Sequence, residues 1–100
     1  MSDLSFKVNP QAVVSIHDEG IVILHTGSGR IFASNTTGAR VWRGLERRLH
    51  LESIAEELSA AYQITPAIAL EHALRFLAEL ERNSLVQRPV QHAVHNKVAL

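Results

Sequence analysis

Cysteine is absent from the chain, so disulfides and thiolate-held zinc are excluded and stability has to come from packing. An excess of either charge is missing as well: ten Lys and Arg face ten Asp and Glu, for a formal net charge of +0. Nucleic acid and anionic lipid both reward surplus Lys and Arg, so the sequence predicts neither nucleic acid nor membrane as a partner. No stretch approaches the roughly 20 consecutive apolar residues that a membrane span requires. The first residues set Asp3 and Lys7 around single apolar side chains and lack the basic stretch and apolar run of a signal peptide. Together these absences predict a cytoplasmic address. Repeats and low-complexity stretches are absent too. What is present is 100 residues with a hydrophobic fraction of 46%, enough for a single domain with one modest core.

The chain divides into two parts of different period. Val13-Val14-Ser15-Ile16, Ile21-Val22-Ile23-Leu24 and Ile31-Phe32-Ala33 are short β-branched and aliphatic runs separated by turn chemistry. Asp18-Glu19-Gly20 and His25-Thr26-Gly27-Ser28-Gly29 are the turns, with glycine admitting the positive φ that tight connections need. This predicts a three-stranded meander. The middle run is apolar throughout and reads as the central strand, while the third, flanked by Arg30, Ser34 and Asn35, reads as an outer one.

From Thr36 onward the spacing is helical. Val41, Trp42, Leu45 and Leu49 form one stripe behind Thr36 or Thr37, either of which can cap, which predicts a first helix over residues 38–49. Leu51, Ile54, Ala55, Leu58 and Tyr62 repeat opposite Glu52, Glu56 and Glu57, an amphipathic second helix. Thr65-Pro66 opens a third, because threonine caps and proline at the first helical position loses no hydrogen bond; it runs to about Asn83. Ser84-Leu85-Val86 can turn back toward the core. Residues 87–100 carry no period and are expected to form a solvated tail, so the domain is drawn at residues 1–88 and the tail at 89–100. The fold class predicted is α+β, a three-stranded antiparallel sheet followed by three helices.

Residues able to carry chemistry are few. Of six histidines only His92 and His95 have ligand-like spacing, without a third donor, so no metal is expected. There is no nucleophile elbow, phosphate loop or facing carboxylate pair, so neither catalytic residues nor cofactors are predicted, and the chain is read as not an enzyme. Arg40, Arg43 and Arg47, with Arg48 beside them, lie on one face of the first helix. Such a run is usually a wet face, here balanced by Glu46 and the glutamates of the second helix; otherwise it meets acidic residues of a peptide or partner enzyme. On the third helix Ala69, Ala73, Phe76, Leu77 and Leu80 make a core stripe, and Leu70 and Leu74 widen the apolar arc to roughly 160°, more than one packing face needs. Either the strands cover that surplus, or an extended peptide does. An outer strand beside surplus helical apolar surface can accept such a peptide, the strand edge supplying backbone bonds and the helix pockets.

Thr26-Gly27-Ser28-Gly29-Arg30-Ile31-Phe32 leading through Asn35-Thr36-Thr37-Gly38-Ala39-Arg40-Val41-Trp42 into the first helix resembles the PqqD-like family. Ile54-Ala55-Glu56-Glu57-Leu58, Phe76-Leu77-Ala78-Glu79-Leu80 and Leu85-Val86 continue the resemblance, which spans residues 8–86. It implies a winged-helix-like fold whose third strand and third helix bind the leader of a ribosomally made precursor peptide and present it to a modifying enzyme, such as a radical enzyme or leader protease. The peptide-binding residues implied here are Arg30, Ile31, Phe32, Ala33 and Ser34 on the strand, with Leu70, Leu74 and Leu77 on the helix. Ala33-Ser34-Asn35 and His50 depart from the family pattern, where a leucine before the asparagine and a capping threonine are usual. A Pro-Glu-Gly stretch associated with pyrroloquinoline quinone (PQQ) synthesis is also missing, which points to the broader set that includes lasso-peptide systems.

Two other readings compete. One is a winged-helix DNA-binding protein, since the second and third helices have helix-turn-helix order; against it, the third helix opens with Pro66-Ala67-Ile68-Ala69-Leu70 rather than base-reading side chains. The other is a homodimer formed through the same strand edge.

Overall fold

The computed structural model describes residues 6–88. Strand alternation sets the sheet. Runs Ala12–His17 (β2), Gly20–His25 (β3) and Arg30–Ser34 (β4) pair antiparallel in the order β2-β3-β4, with Val14 opposite Ile23 and Ile23 opposite Phe32. Because side chains alternate along a strand, Ile21 and Ile23 are buried against the helices, whereas Val13, Val22, Leu24 and Ile31 point outward and stay exposed. The central strand is thus covered on one face only. Gly20 has φ +153°, and a Cβ there would collide with the Ser34 carbonyl oxygen, so the first hairpin closes only with glycine at this position.

Three helices follow: Thr36–Glu46 (α1), Leu51–Tyr62 (α2) and Pro66–Arg82 (α3). The expected caps of α1, Thr36 or Thr37, give way to Asn35, whose extended backbone lets its side-chain oxygen accept from the Gly38 N–H at 3.0 Å. α1 also ends earlier than its apolar spacing suggested, since Arg48 turns left-handed at φ 61° and Leu49 N–H reverts to the Gly44 carbonyl. α2 starts at His50 without a side-chain cap bond. Thr65 caps α3 as expected, accepting from Ile68 N–H with Pro66 in the first turn. Trp42, Val41 and Leu45 of α1, Ile54 and Leu58 of α2, and Ala69, Ala73 and Leu80 of α3 meet under the sheet as one core.

A second, two-stranded sheet was not expected. Lys7–Val8 (β1) pairs antiparallel with Val86–Gln87 (β5), placing Lys7 opposite Gln87 and Val8 opposite Val86. Asn9 secures it, donating its backbone N–H to the Leu85 carbonyl at 2.9 Å and its side-chain N–H to the Ser84 carbonyl at 2.8 Å. Gln87, read as the start of the tail, is therefore strand; its ordering partner lies at the other end of the chain, where no local period could reveal it. The rest of the expected tail, residues 89–100 with His92 and His95, falls outside the described residues.

Candidate functional site

β4 pairs only with β3, so its outer edge is free of any described strand. In an antiparallel ladder alternate residues turn their N–H and C=O away from the partner, and five residues then leave about four to six such groups on the open edge. Strand addition uses this kind of row. Ile31 is 70% exposed on the outer face of the sheet, while Phe32 points inward and its ring meets that of Phe76 on α3 with centroids 5.9 Å apart.

A cleft of about 260 Å³ opens where β4 runs into α1, lined by Ser34, Asn35, Thr37, His72, Arg75, Phe76 and Glu79. Gly38 makes it possible. A Cβ on Gly38 would lie 2.5 Å from Ser34 Oγ and 2.6 Å from Phe76 Cε1, so only a residue without a side chain lets the first turn of α1 approach β4 and α3 together. The cleft has an aromatic wall and a rim of both charge signs. Arg75 is engaged by Glu71 one turn back at 3.3 Å, an exposed pair worth at most about 1 kcal/mol. Such a rim can accept and donate hydrogen bonds to a polypeptide, and among the described residues no group of three or more His, Cys, Asp or Glu could hold a metal ion.

α3 presents a different face to this cleft than its apolar arc suggested. At 100° per residue, Ile68, His72, Arg75 and Glu79 fall within an arc of about 60°, and Leu70, Leu74 and Leu77 lie about 130° or more from its centre. Leu77 is 1% exposed and belongs to the core; Leu70 is packed against the core; Leu74 is 41% exposed on the far flank. Of the five strand residues Arg30 to Ser34, the cleft therefore brings Ser34 together with His72, Arg75, Phe76 and Glu79 rather than with the three leucines, and Phe32 reaches Phe76 from the inner face of the sheet. Ile68, 45% exposed, is the apolar residue on that face that pattern reading passed over, because it sits among polar neighbours outside the core stripe.

A three-stranded antiparallel sheet followed by three helices, with one free sheet edge beside the last helix, defines an α+β, winged-helix-like module. The family model of coenzyme PQQ synthesis protein D (PqqD) matches residues 20–86, and the chain belongs to that family. No curated protein matches it. The solved structure of TbiB1 in complex with the TbiA(beta) leader peptide is similar over 85% of this chain and 99% of that one, at 25% identity and a TM-score of 0.77. A lasso peptide synthetase B1 complexed with the leader peptide matches 82% of this chain and 96% of its own, at 23% identity and a TM-score of 0.74, a likeness of fold. Among the described residues, no helix is long and apolar enough to cross a membrane.

Proposed function

We propose that this chain captures the leader of a ribosomally made precursor peptide as an added strand on β4 and presents it to the enzyme that modifies the peptide. The observation that carries this is the free edge of β4 beside the Phe76 cleft, in a fold whose solved relatives are complexes with leader peptides. Capture of this kind needs hydrogen bonds and apolar contact, which the residues lining the cleft can supply. Backbone pairing supplies affinity without regard to side chains, and the pocket at the end of β4 supplies the choice of leader. DNA binding is not favoured: α3 carries Glu71, Glu79 and Glu81 against Arg75 and Arg82, a poor match to a phosphate backbone.

The test uses the leader of a precursor encoded beside this chain. Calorimetry should give one leader per chain, and amide spectra should show the largest shifts at β4 and at His72 to Glu79. A leader that fails to bind, or that shifts neither β4 nor α3, removes the reading.

A further inference from the structure

At the other edge of the sheet a second cleft, of about 350 Å³, opens between the end of β2 and the helices α1 and α2. Ile16, Ala39, Ile54 and Leu58 line it with apolar surface. Arg40, Arg43 and Arg47 come to it from successive turns of α1, facing Glu57 of α2. Three guanidiniums against one carboxylate leave positive charge in excess here, in a chain whose formal net charge is +0. Two of the three are engaged. Arg47 Nη1 donates to both carboxylate oxygens of Glu57 at 3.2 Å, and Arg40 stacks over Tyr62 with its Cζ 5.5 Å from the ring centroid. The Tyr62 phenol is held below its ordinary pKa, chiefly by its hydrogen bond with Thr36, with Arg40 adding to the effect. The Arg43 side chain, between them, makes no hydrogen bond or ion pair among the described residues.

We propose that this cleft docks an acidic segment of the protein that acts on the captured peptide, its carboxylates on Arg43 and Arg40 and an apolar side chain on the Ile54 and Leu58 surface. The inference rests on the leader-capture reading for the identity of the partner, and on the cleft alone for its chemistry. Guanidinium groups bind carboxylates in a planar, bidentate fashion and tolerate partial burial. The apolar lining argues for a polypeptide, and the arginines span only about 10 Å along α1, too short a track for a nucleic acid backbone. The leader itself is served elsewhere. β2 and β4 are opposite edges of the sheet, about 10 Å apart, and the two clefts share no lining residue. One face can therefore hold the leader while the other holds the enzyme.

The experiment titrates the full isotope-labelled chain with a blocked glutamate–leucine pentapeptide, and with its lysine–leucine counterpart as control. Saturable amide shifts are expected at Ile16, His17, Arg40, Arg43 and Arg47 with the acidic peptide only. Their apparent Kd should rise several-fold between about 50 and about 300 mM salt, as the charge attraction is screened. Arg43→Glu should weaken the shifts at least tenfold while leaving leader-induced shifts at β4 in place; Arg43→Gln serves if the glutamate variant loses native dispersion. The proposal is overturned by the absence of saturable shifts up to about 10 mM peptide, by shifts confined to β4 and α3, or by variants that bind like the parent. Concentration-dependent self-association that Arg43→Glu abolishes would also overturn it, by making a second copy the occupant. Loss of leader binding with the acidic-peptide shifts intact would sink the capture reading and leave this site standing.

Discussion

Gly38 joins three elements through the absence of a side chain. Its position three residues after the cap Asn35 places it in the first turn of α1, against Ser34 at the end of β4 and Phe76 of α3. Alanine usually gains stability over glycine in a helix, by about 0.5–1 kcal/mol. Here the added methyl would meet two side chains inside 3 Å, and overpacking of this kind costs about 1–3 kcal/mol. The second effect wins. Gly38→Ala should lower stability by about 1–2 kcal/mol in urea denaturation and weaken leader capture, because Ser34 and Phe76 must part to admit the methyl. A variant as stable as the parent that binds equally well would show that the joint has slack.

On α3 two exposed large apolar residues, Ile68 and Leu74, separate two placements of the proposed peptide. Ile68 shares a face with His72, Arg75 and Glu79; Leu74 lies on the far flank. Both are more than 40% exposed, so a carboxylate at either leaves the core intact. Ile68→Glu should weaken leader binding about tenfold, roughly 1.4 kcal/mol, while Leu74→Glu should change it less than twofold; calorimetry with the leader reads both, and the reverse order would return the groove to the leucine flank. The three strands and three helices were legible because their periods of 2 and 3.6 are carried by uninterrupted local patterns, and Thr65-Pro66 states its own role. The cap Asn35 was less visible, standing beside two threonines equally able to cap, a choice made only by the backbone angle at the end of β4. The face of α3 that lines the β4–α1 cleft was hidden for a related reason: surplus leucine marks apolar surface, but the close approach of β4, α1 and α3 at Gly38 leaves no trace in the composition of α3.

At the scale of the whole molecule, the β1–β5 pair holds the ends of the described chain together, with Leu85 and Val86 buried, Arg88 ion-paired to Glu81 at 2.7 Å and stacked over Phe6. Removing residues 89–100, which carry no apolar period, should leave Tm within about 2 °C of the parent. Val86→Asp should lower it by at least about 8 °C, since a buried unpaired carboxylate costs several kcal/mol and about 1 kcal/mol moves Tm roughly 4–8 °C at this size. Thermal scans in which the truncation falls as far as the substitution would place part of the stabilising contact beyond residue 88. The same pairing has a consequence for how the module can be carried by other proteins. Lys7 and Gln87 sit side by side, so the polypeptide enters and leaves the domain at one point, and a host needs only two neighbouring attachment points on a surface loop to receive it as a cassette.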